Sequence, residues 1–161
     1  MPLNQVVLKS IHYTSSPDTF GILLQEAGSQ RFFSFWAGAC EGNQLIMKIC
    51  GPSPTELMPY DYFKQLLELA DLRVKHVAIT AEIDNIFIAR VIAERHKLFV
   101  KPEDIVEIDC RPSDAVLLAT YIGCPIFVAD DLLAKYGKPE SEIVRPFDPY
   151  RDFWQNFIDL E

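Results

Sequence analysis

The stretch from Pro112 to Gly123, PSDAVLLATYIG, limits the fold more than any other. From Ala115 to Ile122 nearly every side chain is apolar, whichever way it would face on a helix. A helix that is apolar all round offers no face to water and has to be covered on every side. Pro112 suits its first turn, where a missing N–H costs nothing. Gly123 suits its end. The other elements are therefore expected to gather around one central helix.

Those elements read as hairpins and single helices. LNQVVLKSIHY (3–13) is β-rich and partly alternating, and TSSPDT (14–19) has turn chemistry. FGILLQEA (20–27) and QRFFSFWA (30–37) predict two strands joined at Gly28-Ser29. Phe33, Phe35 and Ala37 would share one face of the second strand, and Phe32, Ser34 and Trp36 the other. Leu45, Ile46, Ile49 and Cys50 recur at helical spacing and predict a helix over 39–50. After a proline-rich loop (51–59) a second helix is expected over 59–71. Its apolar stripe would be Phe63, Leu66, Leu67 and Ala70, with Asp61, Lys64 and Glu68 facing away.

RVKHVAITAEI (73–83) and IFIARVIAER (86–95) predict a hairpin about Asp84-Asn85. HKLFVKPED (96–104) reads as a short excursion or an edge, and IVEIDC (105–110) as a further strand. PIFVA (125–129) predicts a short buried strand and DDLLAKYG (130–137) a short helix. Hairpins alternating with single helices, without regular βαβ units, predict an α+β fold with a mixed, mostly antiparallel sheet and helices packed on it. One domain is expected over 1–137, with 138–161 as a C-terminal extension. In the extension Phe153, Trp154, Phe157, Ile158 and Leu160 recur at helical spacing, an aromatic amphipathic helix. That much aromatic surface has to be covered. Its own domain or a second copy would do so, and the second route gives the expectation of a homodimer.

Charge and cysteine usage narrow the function classes. The chain has 23 acidic and 15 basic residues, a net charge of −8. Nucleic-acid binding draws on Lys and Arg that neutralise phosphates. The balance therefore opposes tight, general duplex binding and leaves a local basic patch or a divalent metal as the route. Cys40, Cys50, Cys110 and Cys124 include no C-x-x-C pair. Zinc is not expected, and buried reduced thiols are. His12, His76 and His96 are scattered and read as surface or strand-face residues. The Met-Pro-Leu-Asn start lacks the basic and apolar regions of a secretory signal. No apolar run reaches the roughly 18 residues of a spanning helix. A cytoplasmic protein without membrane association is expected.

The residues that could carry chemistry gather at the seam EIDCRPSDA (107–115). Asp114 near the helix start is favoured by the helix dipole. One reading is a well-capped core helix with Arg111 paired to a carboxylate. The other is an anion-binding corner, where Arg111 holds a phosphate with Ser113 and backbone N–H groups assisting. Asp109 and Asp114 would then stand ready for a hard metal ion. Glu41 and Asp61 open two more predicted helices. Three carboxylates at three helix starts make a metal site only where those starts converge. No P-loop, G-x-G-x-x-G or G-x-S-x-G motif is present.

At these residues the chain resembles the bifunctional nuclease (BFN) domain family of bacteria and plants. That family carries an A-R-P-S-D-A segment after a strand, then a helix, then G-x-P-I-[FY]-V-A. Here these read Cys110-Arg111-Pro112-Ser113-Asp114-Ala115 and Gly123-Cys124-Pro125-Ile126-Phe127-Val128-Ala129. The family's P-I-W-I-G-x-x-E-A-x-x-I corresponds to Ser34 through Leu45, with Ala37 and Gly42 replacing commoner residues. Its T-H-D-L-L segment corresponds to Met58 through Phe63, with Tyr60 where many relatives carry histidine. The resemblance covers roughly 3–137.

It implies a BFN-type domain that hydrolyses both DNA and RNA. Such an enzyme needs phosphate recognition and an activated water but no base readout. Within that reading Glu41, Asp61 and Asp114 would bind Mg²⁺ or Mn²⁺. Arg111 would stabilise charge on phosphorus, and Arg111 with Ser113 would bind substrate. The alternatives are a non-catalytic binding or assembly protein with an anion corner at Arg111, and a small-molecule enzyme using the same corner.

Overall fold

The structure, a computed structural model, describes residues 2–14, 18–51, 59–95 and 101–143. The central helix is where the apolar run demands it. This helix, α3 (Pro112–Ile122), buries Pro112, Ser113, Ala115, Val116, Leu117, Leu118, Ala119 and Tyr121. Gly123 ends it in the left-handed conformation, φ 80°, as a C-terminal glycine should. Leu117 is fully buried. Truncating such a leucine to alanine costs about 2–5 kcal/mol.

Among the described residues eight strands form one sheet around it, in the order β6-β5-β4-β7-β1-β2-β3-β8. They are β1 (Leu3–Tyr13), β2 (Thr19–Glu26), β3 (Arg31–Gly38), β4 (Leu72–Ile83), β5 (Ile86–Arg95), β6 (Ile105–Cys110), β7 (Ile126–Ala129) and β8 (Lys138–Pro139). Only β4 and β7 pair in parallel, so the sheet is mixed and mostly antiparallel, and the fold is α+β. The turn between β4 and β5 takes Asp84 and Asn85 to φ 52° and 63°. That is the twist-matched hairpin geometry Asp and Asn tolerate. The sheet curves strongly. Phe33 on β3 meets Phe87 on β5, ring centroids 5.0 Å apart, although five strand positions separate them. Bulges in β1 and β4 help that curvature.

Three further helices complete the described fold: α1 (Ala39–Cys50), α2 (Pro59–Leu69) and α4 (Asp130–Tyr136). Helix α3 packs against α1, α2 and strands β3, β4 and β5. On β3 the expected alternation holds for Phe33, Phe35 and Ala37, which are buried, and for Ser34 and Trp36, which are exposed. Phe32, on the outward face, is also buried, at the end of the strand where it pairs with Lys138 of β8.

Two expectations change. Helix α2 buries none of its residues. Phe63 and Leu66 are exposed, and Tyr60 and Leu67 alone pack partly on the core. The stripe overlies an open apolar groove of about 360 Å³, where Phe63 and Leu67 face Val74, Val91 and Ile108 across a gap. Cys40 and Cys50 are exposed thiols, not buried ones, because both lie off the face through which α1 buries Glu41, Gly42 and Leu45. Lys138 and Pro139 form β8 and pair with Phe32 and Arg31 of β3. The aromatic pattern of 153–160 and His96 lie outside the described residues. No described helix is long and apolar enough to cross a membrane.

Candidate functional site

Strand β6 ends at Cys110, α3 begins at Pro112, and Arg111 is the residue between. A residue that precedes proline is pushed to extended backbone, and Arg111 has φ −74° and ψ 149°. From that position its guanidinium closes on two helix starts. Nε donates to Asp114 Oδ2 at 2.7 Å and Nη2 to Asp114 Oδ1 at 3.1 Å. Nη2 also donates to Glu41 Oε1 at 2.5 Å, across 70 residues of sequence. The fork on Asp114 is the bidentate geometry that suits arginine over lysine. The Asp114 hydrogen bonds and charge, then Glu41, hold the guanidinium pKa above its ordinary value.

Exposure differs sharply within the cluster. The Arg111 side chain is 67% exposed, whereas that of Glu41 is 12% exposed. Glu41 thus depends on Arg111 for its charge to be tolerated. The Nη1 edge of Arg111 makes no hydrogen bond among the described residues. Arg111 and the buried Ser113 lie on the wall of a cleft of about 670 Å³, which Trp36, His12 and Lys138 also line.

Behind the corner stands an aromatic layer. The Tyr60 hydroxyl lies 3.4 Å from Asp114 Oδ1, as a long hydrogen bond. Burial, and then the charge of Asp114, push the Tyr60 phenol up to about 12. It is therefore protonated near neutral pH and no base. Its ring packs on Tyr121 at 5.4 Å, and Lys48 Nζ sits 4.6 Å over the Tyr121 ring. The Cys110 thiol is pushed up to about 11, chiefly by burial and then by Asp114 and Asp109, so it is no thiolate nucleophile.

The six predicted site residues therefore stand as follows. Glu41, Arg111 and Asp114 meet, with Ser113 buried beside them in the first turn of α3. Asp61 is in the first turn of α2, and its charge acts on Tyr121, one layer away from the guanidinium. Asp109 is not at the corner. It pairs with Arg90 Nε at 2.8 Å, while Glu107 takes Arg90 Nη1 at 2.9 Å. Alternation along β6 puts 107 and 109 on one face together.

Among the described residues no group of three or more His, Cys, Asp or Glu side chains is placed to hold a metal ion. The guanidinium occupies the space between Glu41 and Asp114. The arrangement as it stands is an ion-paired arginine corner with one net negative charge, and it does not fit Mg²⁺ or Mn²⁺.

Tyr121 and Lys48 were not singled out from sequence. A signal for Tyr121 existed: residues 114, 118 and 121 share one face of a helix, so Asp114 carries its neighbour seven residues on. Lys48 had none, because only the packing of α1 on α3 brings it there.

Two uncharacterized proteins from two strains of Mycobacterium tuberculosis are each 28% identical to the chain over 116 residues. The matched stretch is 72% of this chain and 65% of each relative, so the chain spans just under two thirds of their length. A family model, the bifunctional nuclease domain, matches residues 22–141. That span contains Glu41, Asp61 and the whole arginine corner, and on it the chain belongs to the bifunctional nuclease domain family.

Proposed function

We propose that this domain hydrolyses phosphodiester bonds of DNA and RNA at the Arg111 corner. The observation that carries the reading is the meeting of Glu41 and Asp114 on Arg111, which itself lines the cleft and whose Nη1 edge is unspent among the described residues. That edge receives a phosphate oxygen and offsets the charge that builds in the transition state. The first-turn N–H groups of Ser113 and Asp114 have no intrahelical acceptor and point toward the same anion. Asp114, more exposed than Glu41, takes a proton from the attacking water. Tyr60, protonated beside it, donates to Asp114 and orients it, and the leaving oxygen takes its proton from solvent. Glu41 holds the guanidinium in place. Mg²⁺ or Mn²⁺ would have to draw Glu41 or Asp114 off Arg111 first.

A second reading has its own support. Two carboxylates already face the one guanidinium, so the corner repels an incoming phosphate unless Nη1 outweighs them. This favours a non-catalytic binding or assembly protein in which the corner pins α1 to α3.

The test is cleavage of single-stranded DNA and RNA in Mg²⁺, Mn²⁺ or EDTA, by wild type and by Asp114→Asn purified in parallel. Cleavage lost in the variant, with the fold retained by circular dichroism, supports hydrolysis at this corner. Equal cleavage by both places it elsewhere. No cleavage under any condition leaves the binding reading.

A further inference from the structure

Trp36 is 64% exposed in the midst of a strand. Tryptophan is usually well buried on average, so an indole left in water near a sheet edge asks for a partner. Its position is built by its neighbours. His12, Gly21 and Trp36 form one row across β1, β2 and β3. A Cβ placed on Gly21 would stand 3.3 Å from Trp36 Cζ3 and 3.8 Å from Cε3. The indole therefore lies close over the β2 backbone, where a Cβ at position 21 would crowd its edge. One face rests on the sheet and the other is open. Trp36 and Arg111 line the same cleft. Beyond residues 31–32, which pair with β8, β3 has no further partner on that side among the described residues.

We propose that Trp36 is a stacking platform for an unpaired nucleobase, which makes single-stranded nucleic acid the ligand of this cleft. This rests on the reading of Arg111 as the phosphate site. A flat aromatic that shares a cleft with Arg111 and Lys138 matches a nucleotide, base on the indole and phosphate on a cation. Stacking also answers the net charge of −8. A chain that cannot gather many phosphates gains affinity from the π-face of the base, which is sequence-tolerant and barely screened by salt. A duplex hides those faces and is excluded.

The test uses the full chain carrying Trp154→Phe, so that Trp36 is the only indole. Oligo-dT and oligo-U are titrated in EDTA, and indole fluorescence is followed. Saturable quenching is expected. Trp36→Ala, followed by anisotropy of labelled oligonucleotide, should weaken binding about 5- to 150-fold, the range for one stacked base. Trp36→Phe should recover most of it. An abasic oligonucleotide of the same length should bind as weakly as Trp36→Ala does to oligo-dT. Equal binding of abasic, duplex and single-stranded probes would overturn the platform and leave the Arg111 phosphate reading standing. Quenching without cleavage in Mg²⁺ or Mn²⁺ would do the reverse: the platform stands and hydrolysis fails.

Discussion

Replacing Arg111 with methionine keeps an unbranched stem and removes the guanidinium with its charge. Two effects follow. The Asp114 pair is partly solvated, with its side chain 30% exposed, and such a pair contributes about 0–1 kcal/mol. Glu41 is 9% exposed, and Arg111 is its hydrogen-bond partner among the described residues. A buried polar group stripped of its partner costs about 1–3 kcal/mol, and a charged one more. Because solvent still reaches Arg111, the sum falls near 2–3 kcal/mol, below the roughly 3–5 kcal/mol of a fully buried pair. With an urea slope of about 2 kcal/mol/M, the midpoint drops by roughly 1–1.5 M while the slope stays unchanged. Adding Glu41→Leu removes the stranded charge, so the double variant should be more stable than Arg111→Met alone. The cycle should give a coupling of about 1–2 kcal/mol. Strict additivity of the two substitutions would refute the claim that Glu41 depends on Arg111.

Three further outcomes test other parts of the molecule. Glu82 accepts from Lys135 Nζ at 2.9 Å, from the Tyr136 hydroxyl at 2.7 Å and from the Asn85 N–H at 2.8 Å, which lower its carboxyl from 4.5 to about 2. The unfolded chain then binds the extra proton between those values, so stability is present above about pH 4.5 and falls as pH drops toward 2. Melting temperature against pH should be flatter there in Glu82→Gln, and identical profiles would dismiss the link. At position 42 the family pattern carries alanine, but a Cβ there would meet the Phe20 ring at 2.3 Å. Gly42→Ala should lose about 1–2 kcal/mol, overpacking exceeding the gain in helix propensity. The Phe20→Leu background should remove most of that loss, and a stabilised Gly42→Ala would contradict the packing. A homodimer, expected from the aromatic pattern of 153–160, sediments at twice the chain mass at micromolar concentration. A monomeric wild-type chain would end the homodimer reading.

Local signals were legible where the backbone or the periodicity decides. The all-round apolar run could only be a covered helix, and α3 is that. Asp84-Asn85 and Gly123 sit at positive φ, where few other residues go without strain. The alternation of Phe33, Phe35 and Ala37 assigned the inner face of β3. Helical periodicity also placed α2, but periodicity says which face is apolar and not whether anything covers it. Phe63 and Leu66 of the stripe proved exposed, and among the described residues the groove that Phe63 lines stays open.

By itself the sequence determined the central helix, the hairpins, the seam that presents Arg111, and three carboxylates each at a helix start. These follow from side-chain spacing and backbone preference within a few residues. Tertiary structure decided the rest. It inserted β7 between β4 and β1 and curved β3 round to β5. It brought Glu41 to Arg111 across 70 positions, gave Asp109 to Arg90, and set Asp61 against Tyr121. A charge finds its partner only once packing has chosen which helix starts lie together. That choice belongs to the whole core around α3.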